Sequence, residues 1–81
     1  MTIEKLKRVL IRIRQMYPYE MKHDQRIGRI LLRRAVMIEC GTSPQTYYNN
    51  VNALKLMGWI KWSRGKWKLT GKDLTEEFDY F

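Results

Sequence analysis

Apolar residues recur along this chain with two different periods, and the switch between them marks out its elements. In "TIEKLKRVLIRIRQMY", Ile3, Leu6, Leu10, Ile13 and Tyr17 follow at three- and four-residue spacing, and Val9 and Met16 widen the stripe. The spacing predicts an amphipathic helix over residues 2–17. Thr2 suits its N-cap, Glu4 puts a negative charge in the first turn, and Pro18 ends it, because the residue before a proline avoids helical dihedrals. Ile11 falls off the stripe and is either a scattered exposed residue or part of a partner surface. "PYEMK" reads as a connector or short strand. Asp24 then caps a second predicted helix, residues 24–40, whose apolar positions nearly encircle it. Arg26, Arg29 and Arg33 form one basic stripe along it, and Gly41 stops it.

A third helix is expected over residues 43–57. Ser43 stands at the N-cap, Pro44 at the first helical position and Gly58 past the end, with Tyr47, Val51 and Leu54 facing inward. The period then becomes two. Ile60, Trp62, Trp67 and Leu69 alternate with Lys61, Ser63, Lys66 and Lys68 around "SRGK", which predicts a β-hairpin within residues 59–70. Trp62 and Trp67 are expected to pack in the core or within the hairpin rather than stack on bases, and Trp59 has no evident place. Thr70 caps a last short helix over residues 71–80, with Leu74, Phe78 and Phe81 as its apolar side. The fold class is therefore α+β, mainly α: one domain, 1–81, with a three-helix core, a two-stranded hairpin and a short C-terminal helix.

Charge changes the picture. The 81 residues carry sixteen Lys and Arg against eight Asp and Glu, a net charge of +8. All sixteen bases lie at or before Lys72, whereas "DLTEEFDYF" holds four acids and no base. A body this basic points to a polyanion, nucleic acid first. The acidic tail either pairs with a basic patch or keeps itself off the polyanion. The single Cys40 allows no internal disulfide; it is either a small buried hydrophobe or an inter-chain link. Charges interrupt the apolar residues of the first segment, unlike a secretory signal, and no apolar run has the length of a membrane span. A cytoplasmic protein is expected.

"GTSPQTYYNNVNALKLMGWIKWSRGKWKLT" resembles the second half of a winged helix-turn-helix DNA-binding domain. The marks are Gly41 in the turn, Ser43 as cap, apolar residues at 47, 51 and 54, "MGWI" entering the wing, a Lys/Arg-rich hairpin and the closing "LT". The likeness covers residues 24–72, and the first helix by position. Met37 departs from it, standing where the family has a small residue, as does Tyr47, standing where it has an aliphatic one. The composition, rich in Lys, Arg, Ile and Tyr, is similar to that of small archaeal and archaeal-virus regulators. The resemblance implies double-stranded DNA as partner, binding as a homodimer to a palindromic site, and a role in transcription regulation. The first helix, the apolar surplus of the second, Leu56 and the tail are the candidate dimer surfaces.

It also implies that the third helix enters the major groove. From Gly41 to Leu54 that segment carries no charge, but has three Asn, Gln, Thr and two Tyr. Amides pair bidentately with adenine, and hydroxyls reach any base. Gln45, Thr46, Tyr48, Asn49 and Asn52 are thus the candidate base readers. Phosphate or minor-groove contacts fall to Ser43, Arg26, Arg29, Arg33, Lys55, Lys61, Arg64, Lys66 and Lys68, with Arg64 at the hairpin turn aimed at a minor groove. Asn50 points inward and is expected to bond locally. The bland reading of the same helix is a solvated polar surface.

No glycine-rich phosphate loop, metal-ligand spacing or Cys–His pair is present, so no catalytic residue, metal, cofactor or small-molecule ligand is expected. Two other readings use the same residues: an architectural DNA binder that ignores sequence, and a protein-docking module built on Trp59, Leu56 and the tail.

Overall fold

The computed structural model describes residues 3–75. Thr2 as a cap, and Phe78 and Phe81 as the apolar side of the last helix, lie outside them, while Leu74, expected on the same side, is exposed. The described elements run α1 (Ile3–Met16), α2 (Pro18–His23), β1 (Arg26–Ile27), α3 (Arg29–Cys40), α4 (Pro44–Leu56), β2 (Ile60–Ser63), β3 (Lys66–Leu69) and α5 (Lys72–Thr75). The fold is mainly helical with one antiparallel sheet of order β1–β3–β2.

Helix α1 buries Leu6, Val9, Leu10 and Ile13 as its spacing predicts, but Ile3, the first residue of the stripe, is exposed, as is Ile11 off it. The connector and the second helix differ from expectation. Pro18 does not release the chain into an extended segment; it occupies the first turn of the short helix α2, where its missing N–H costs nothing. The helix expected over residues 24–40 starts at Arg29, with Gly28 in extended geometry before it. Arg26 and Ile27 instead form a strand antiparallel to β3, opposite Lys68 and Trp67. Burial decides this. Ile27 is sealed in the core at the sheet, and the pairing supplies backbone partners that a buried segment must have. Asp24 is not the N-cap of α3; it stands instead at the C-cap of α2, where its backbone N–H donates to the Glu20 carbonyl. Its carboxylate accepts from the Arg26 backbone N–H at 3.1 Å and from Arg26 Nε at 3.0 Å. These bonds hold its pKa below the usual carboxylate range.

The turn from α3 to α4 follows the sequence closely. Gly41 takes φ 110 and donates its N–H to the Met37 carbonyl. Ser43 has the extended N-cap backbone, but its side chain makes no capping bond. Met37 and Ile38 face solvent, so Met37 is not wedged against α4, and Ala35 and Val36 turn inward in its place. Ile60, Trp62, Trp67 and Leu69 share one sheet face through the pairs Ile60↔Leu69 and Trp62↔Trp67. Arg64 and Gly65 both have positive φ, 51 and 79, the two-residue turn that matches strand twist. The sheet is one strand larger than the expected hairpin because β1 joins it.

One core unites Val9, Leu10 and Ile13 with Ile27, Leu32, Ala35, Val36, Leu54, Ile60 and Leu69. Its largest buried residue is Trp59, 1% exposed. Its N–H bonds the Leu54 carbonyl and its carbonyl accepts from Thr70, so it sits where α4 hands over to the sheet. Trp62 is the reverse case. It stands 45% exposed near the hairpin tip, edge-on to the half-buried Trp67 at 5.1 Å, so it packs within the hairpin and not in the core. The chain then folds back on α1. Asp73, almost fully buried, accepts from both terminal nitrogens of Arg14 at 2.7 and 2.9 Å.

Two stability effects are expected. Trp59→Ala lowers unfolding free energy by about 3–5 kcal/mol, read from urea denaturation. Gly65→Ala, which places a Cβ at positive φ, costs about 1–2 kcal/mol in the same measurement.

Candidate nucleic-acid interface

Helix α4 has two unlike sides. Asn50, Val51 and Leu54 are buried, while Gln45, Tyr48, Asn49, Asn52, Lys55 and Leu56 are exposed. At 3.6 residues per turn the exposed six occupy roughly a third of the helix circumference. Four of the five candidate base readers therefore lie together. Thr46, the fifth, is half-buried at the border, and its carbonyl accepts from Asn50 Nδ2 at 2.9 Å. Tyr48 is 61% exposed. Gln45 Nε2 donates to Asn49 Oδ1 at 3.0 Å, which holds two of the amides side by side. Ser43 is exposed at the start of the helix.

Asn50 bonds locally, as its inward position suggests. Besides its bond to Thr46, its Oδ1 accepts from the Cys40 thiol at 3.5 Å, so one buried amide ties the end of α3 to the first turns of α4. Cys40 is a free, half-buried thiol whose pKa burial pushes up.

A cleft of about 600 Å³ opens between the start of α3, the exposed side of α4 and the hairpin. Arg29 lies over the Trp62 ring at 5.0 Å and Arg33 over the Tyr47 ring at 5.5 Å. Tyr48, Asn52 and Lys55 line the same cleft from α4. Burial raises the Tyr47 hydroxyl pKa, against the pull of the two arginines, so it stays protonated, a donor and acceptor, at neutral pH. The cleft thus combines fixed cations, aromatic faces and uncharged hydrogen-bonding groups. Sequence reasoning missed Trp62 as part of it. The signal was its position next to the hairpin turn, where alternation continues but the helices no longer reach.

The basic residues divide into two sets. Arg29, Arg33 and Lys55 surround the cleft. Arg26 is not one stripe with Arg29 and Arg33, because it belongs to β1; with Lys61 and Lys68 it lies on the opposite side of the sheet, so these three, expected among the phosphate contacts, do not border the cleft beside α4. Arg64 and Lys66 are exposed at and beside the hairpin turn. Among the described residues no three His, Cys, Asp or Glu gather as a metal site, and no helix is long and apolar enough to cross a membrane. No protein-family model matches the chain, and neither a curated protein nor a solved structure matches it.

Asn50→Ala removes the acceptor of the Cys40 thiol and the donor to Thr46. It is expected to lower stability by about 1–3 kcal/mol, seen as a lower urea midpoint with unchanged slope.

Proposed function

We propose that the chain is a winged helix-turn-helix protein that binds double-stranded DNA sequence-specifically, as a transcriptional regulator. The observation that carries the reading is the uncharged exposed arc of α4, bounded by arginine and lysine. The order of elements agrees with it. A strand precedes the helix pair α3–α4, the hairpin follows it, and the strand before the pair joins the far side of the hairpin.

In this reading α4 lies in the major groove. Gln45, Asn49 and Asn52 offer amides to base edges, and Tyr48 offers a ring to a thymine methyl or its hydroxyl to a phosphate. Thr46 and Ser43, at the start of the helix, and the first free backbone N–H groups sit where a phosphate is held. Arg29, Arg33 and Lys55 take phosphates on either side. The hairpin is the wing, with Arg64 at its tip directed to the neighbouring minor groove and Lys66 beside it. Exposed Ile30, Met37 and Ile38 on α3 and Leu56 on α4 give a homodimer apolar surface to close.

Selection from a random duplex pool at about 0.15 M salt, where long-range charge effects are mostly screened, is expected to return an enriched, palindromic motif. Asn49→Ala with Asn52→Ala then reduces discrimination between that motif and random duplex by about 1–3 kcal/mol per lost bidentate contact. Retention of DNA without an enriched motif would make the protein an architectural binder. No retention would turn attention to a protein partner at Leu56 and the apolar face of α3.

A further inference from the structure

The bases of the hairpin are separated from those around α4 by the sheet itself. Side chains alternate across a strand. Trp62 and Trp67 form one cross-strand pair and line the cleft against α4, with Arg29 over Trp62. Lys61 and Lys68 are the next pair along the same ladder, so they face the other way. Arg26 of β1 pairs with Lys68 on its far side. Three bases from three strands therefore stand abreast as Arg26, Lys68 and Lys61.

This row lines a second cleft of about 620 Å³, with Arg64 and Ser63 toward the hairpin tip. The one carboxylate in its lining, Asp24, is already bonded to Arg26 at 2.8 Å. Like charges directly opposite each other destabilise a sheet, and among the described residues no ion pair answers Lys61 or Lys68. A polyanion would relieve that repulsion. Neighbouring strands are 4.7–4.9 Å apart, so the row spans roughly 10 Å. Each strand of a duplex presents a charge every ~3.4 Å along its axis, enough to meet all three bases. The aromatic ring in its lining is that of His23, already packed against Tyr19 with ring centroids 4.2 Å apart, and no Phe, Tyr or Trp joins it as a platform for stacking unpaired bases. The chemistry is that of a phosphate backbone held without base readout.

A straight duplex seated on α4 lies on the tryptophan side of the sheet, and the row points away from it. We propose that the outer sheet face is a second duplex-binding surface, so that one protomer holds two DNA segments, one read by α4 and one gripped by its backbone. This rests on the reading of α4 as the base-reading helix.

The test is a bridging assay. A duplex bearing the selected motif is fixed to beads, protein is bound, and a fluorescent random duplex is added. The wild-type protein is expected to retain the fluorescent duplex, more weakly as salt rises. Lys61→Glu with Lys68→Glu is expected to lower that retention at least about tenfold, while affinity for the fixed motif, which α4 determines, changes less than about threefold. Lys61→Glu alone sets an acid opposite Lys68 and so keeps the sheet intact; it is expected to lower retention in the same direction. Undiminished retention by both variants would mean that the second duplex is held by another copy of the chain, and would overturn the inference. Motif binding by the wild type without any bridging would overturn it too, and would leave the reading of α4 standing. Bridging that Lys61→Glu abolishes, in a protein that shows no motif preference, would support the outer face and refute the reading of α4.

Discussion

Two residues, Arg26 and Ile27, tie the helical part of this protein to its hairpin by pairing with Lys68 and Trp67. The Leu69 N–H extends the ladder to the Gln25 carbonyl at 2.9 Å. This short contact fixes where α3 begins, with Gly28 alone between strand and helix. The start of α3 in turn fixes Arg29 over Trp62 and Arg33 over Tyr47. The same contact adds the third base to the outer row. Burial of Ile27 against the core keeps so short a strand in register, since a slip by one residue would turn Arg26 inward and Ile27 to solvent.

The end of α3 is fixed by different chemistry. Asn50 is buried and bonded to Thr46 on its own helix and to Cys40 on the helix before. A buried amide left without partners is costly; the bond to Thr46 sets the Asn50 side chain within α4, and the thiol contact joins it to the end of α3. Arg14 and Asp73 act similarly at the base of the molecule, where a bidentate pair holds α5 on α1. Apolar contact makes the domain compact, and these directional bonds set the geometry that places the outward side of α4.

Long periodic elements could be read from the sequence, and short ones could not. Helices α1 and α4 and the hairpin carry enough turns or alternations for their periods to show. Strand β1 has two residues, too few for any period, and α2 has one and a half turns. Arg26, Arg29 and Arg33 mimic a helical stripe although Arg26 belongs to the strand and Gly28 parts that strand from the helix of the other two. Trp59 follows the Gly58 turn and precedes the alternating run, so no pattern governs it; only the meeting of α4, β2 and β3 shows why an indole belongs there. The exposed arc of α4 was legible because its lack of charge contrasts with everything around it. The two-sided distribution of bases was not, because it needs the sheet register.

The two sides of α4 share no residue. Gln45, Tyr48, Asn49 and Asn52 have no part in the core, and Asn50, Val51 and Leu54 have no part in the exposed arc. Substitutions on the outer side therefore leave the core packing untouched, and most surface changes of this kind shift stability by less than about 0.5 kcal/mol. Descendants of this chain are free to exchange one set of outward amides and hydroxyls for another without first becoming more stable, so a lineage built on it can change what this arc presents while its architecture stays the same.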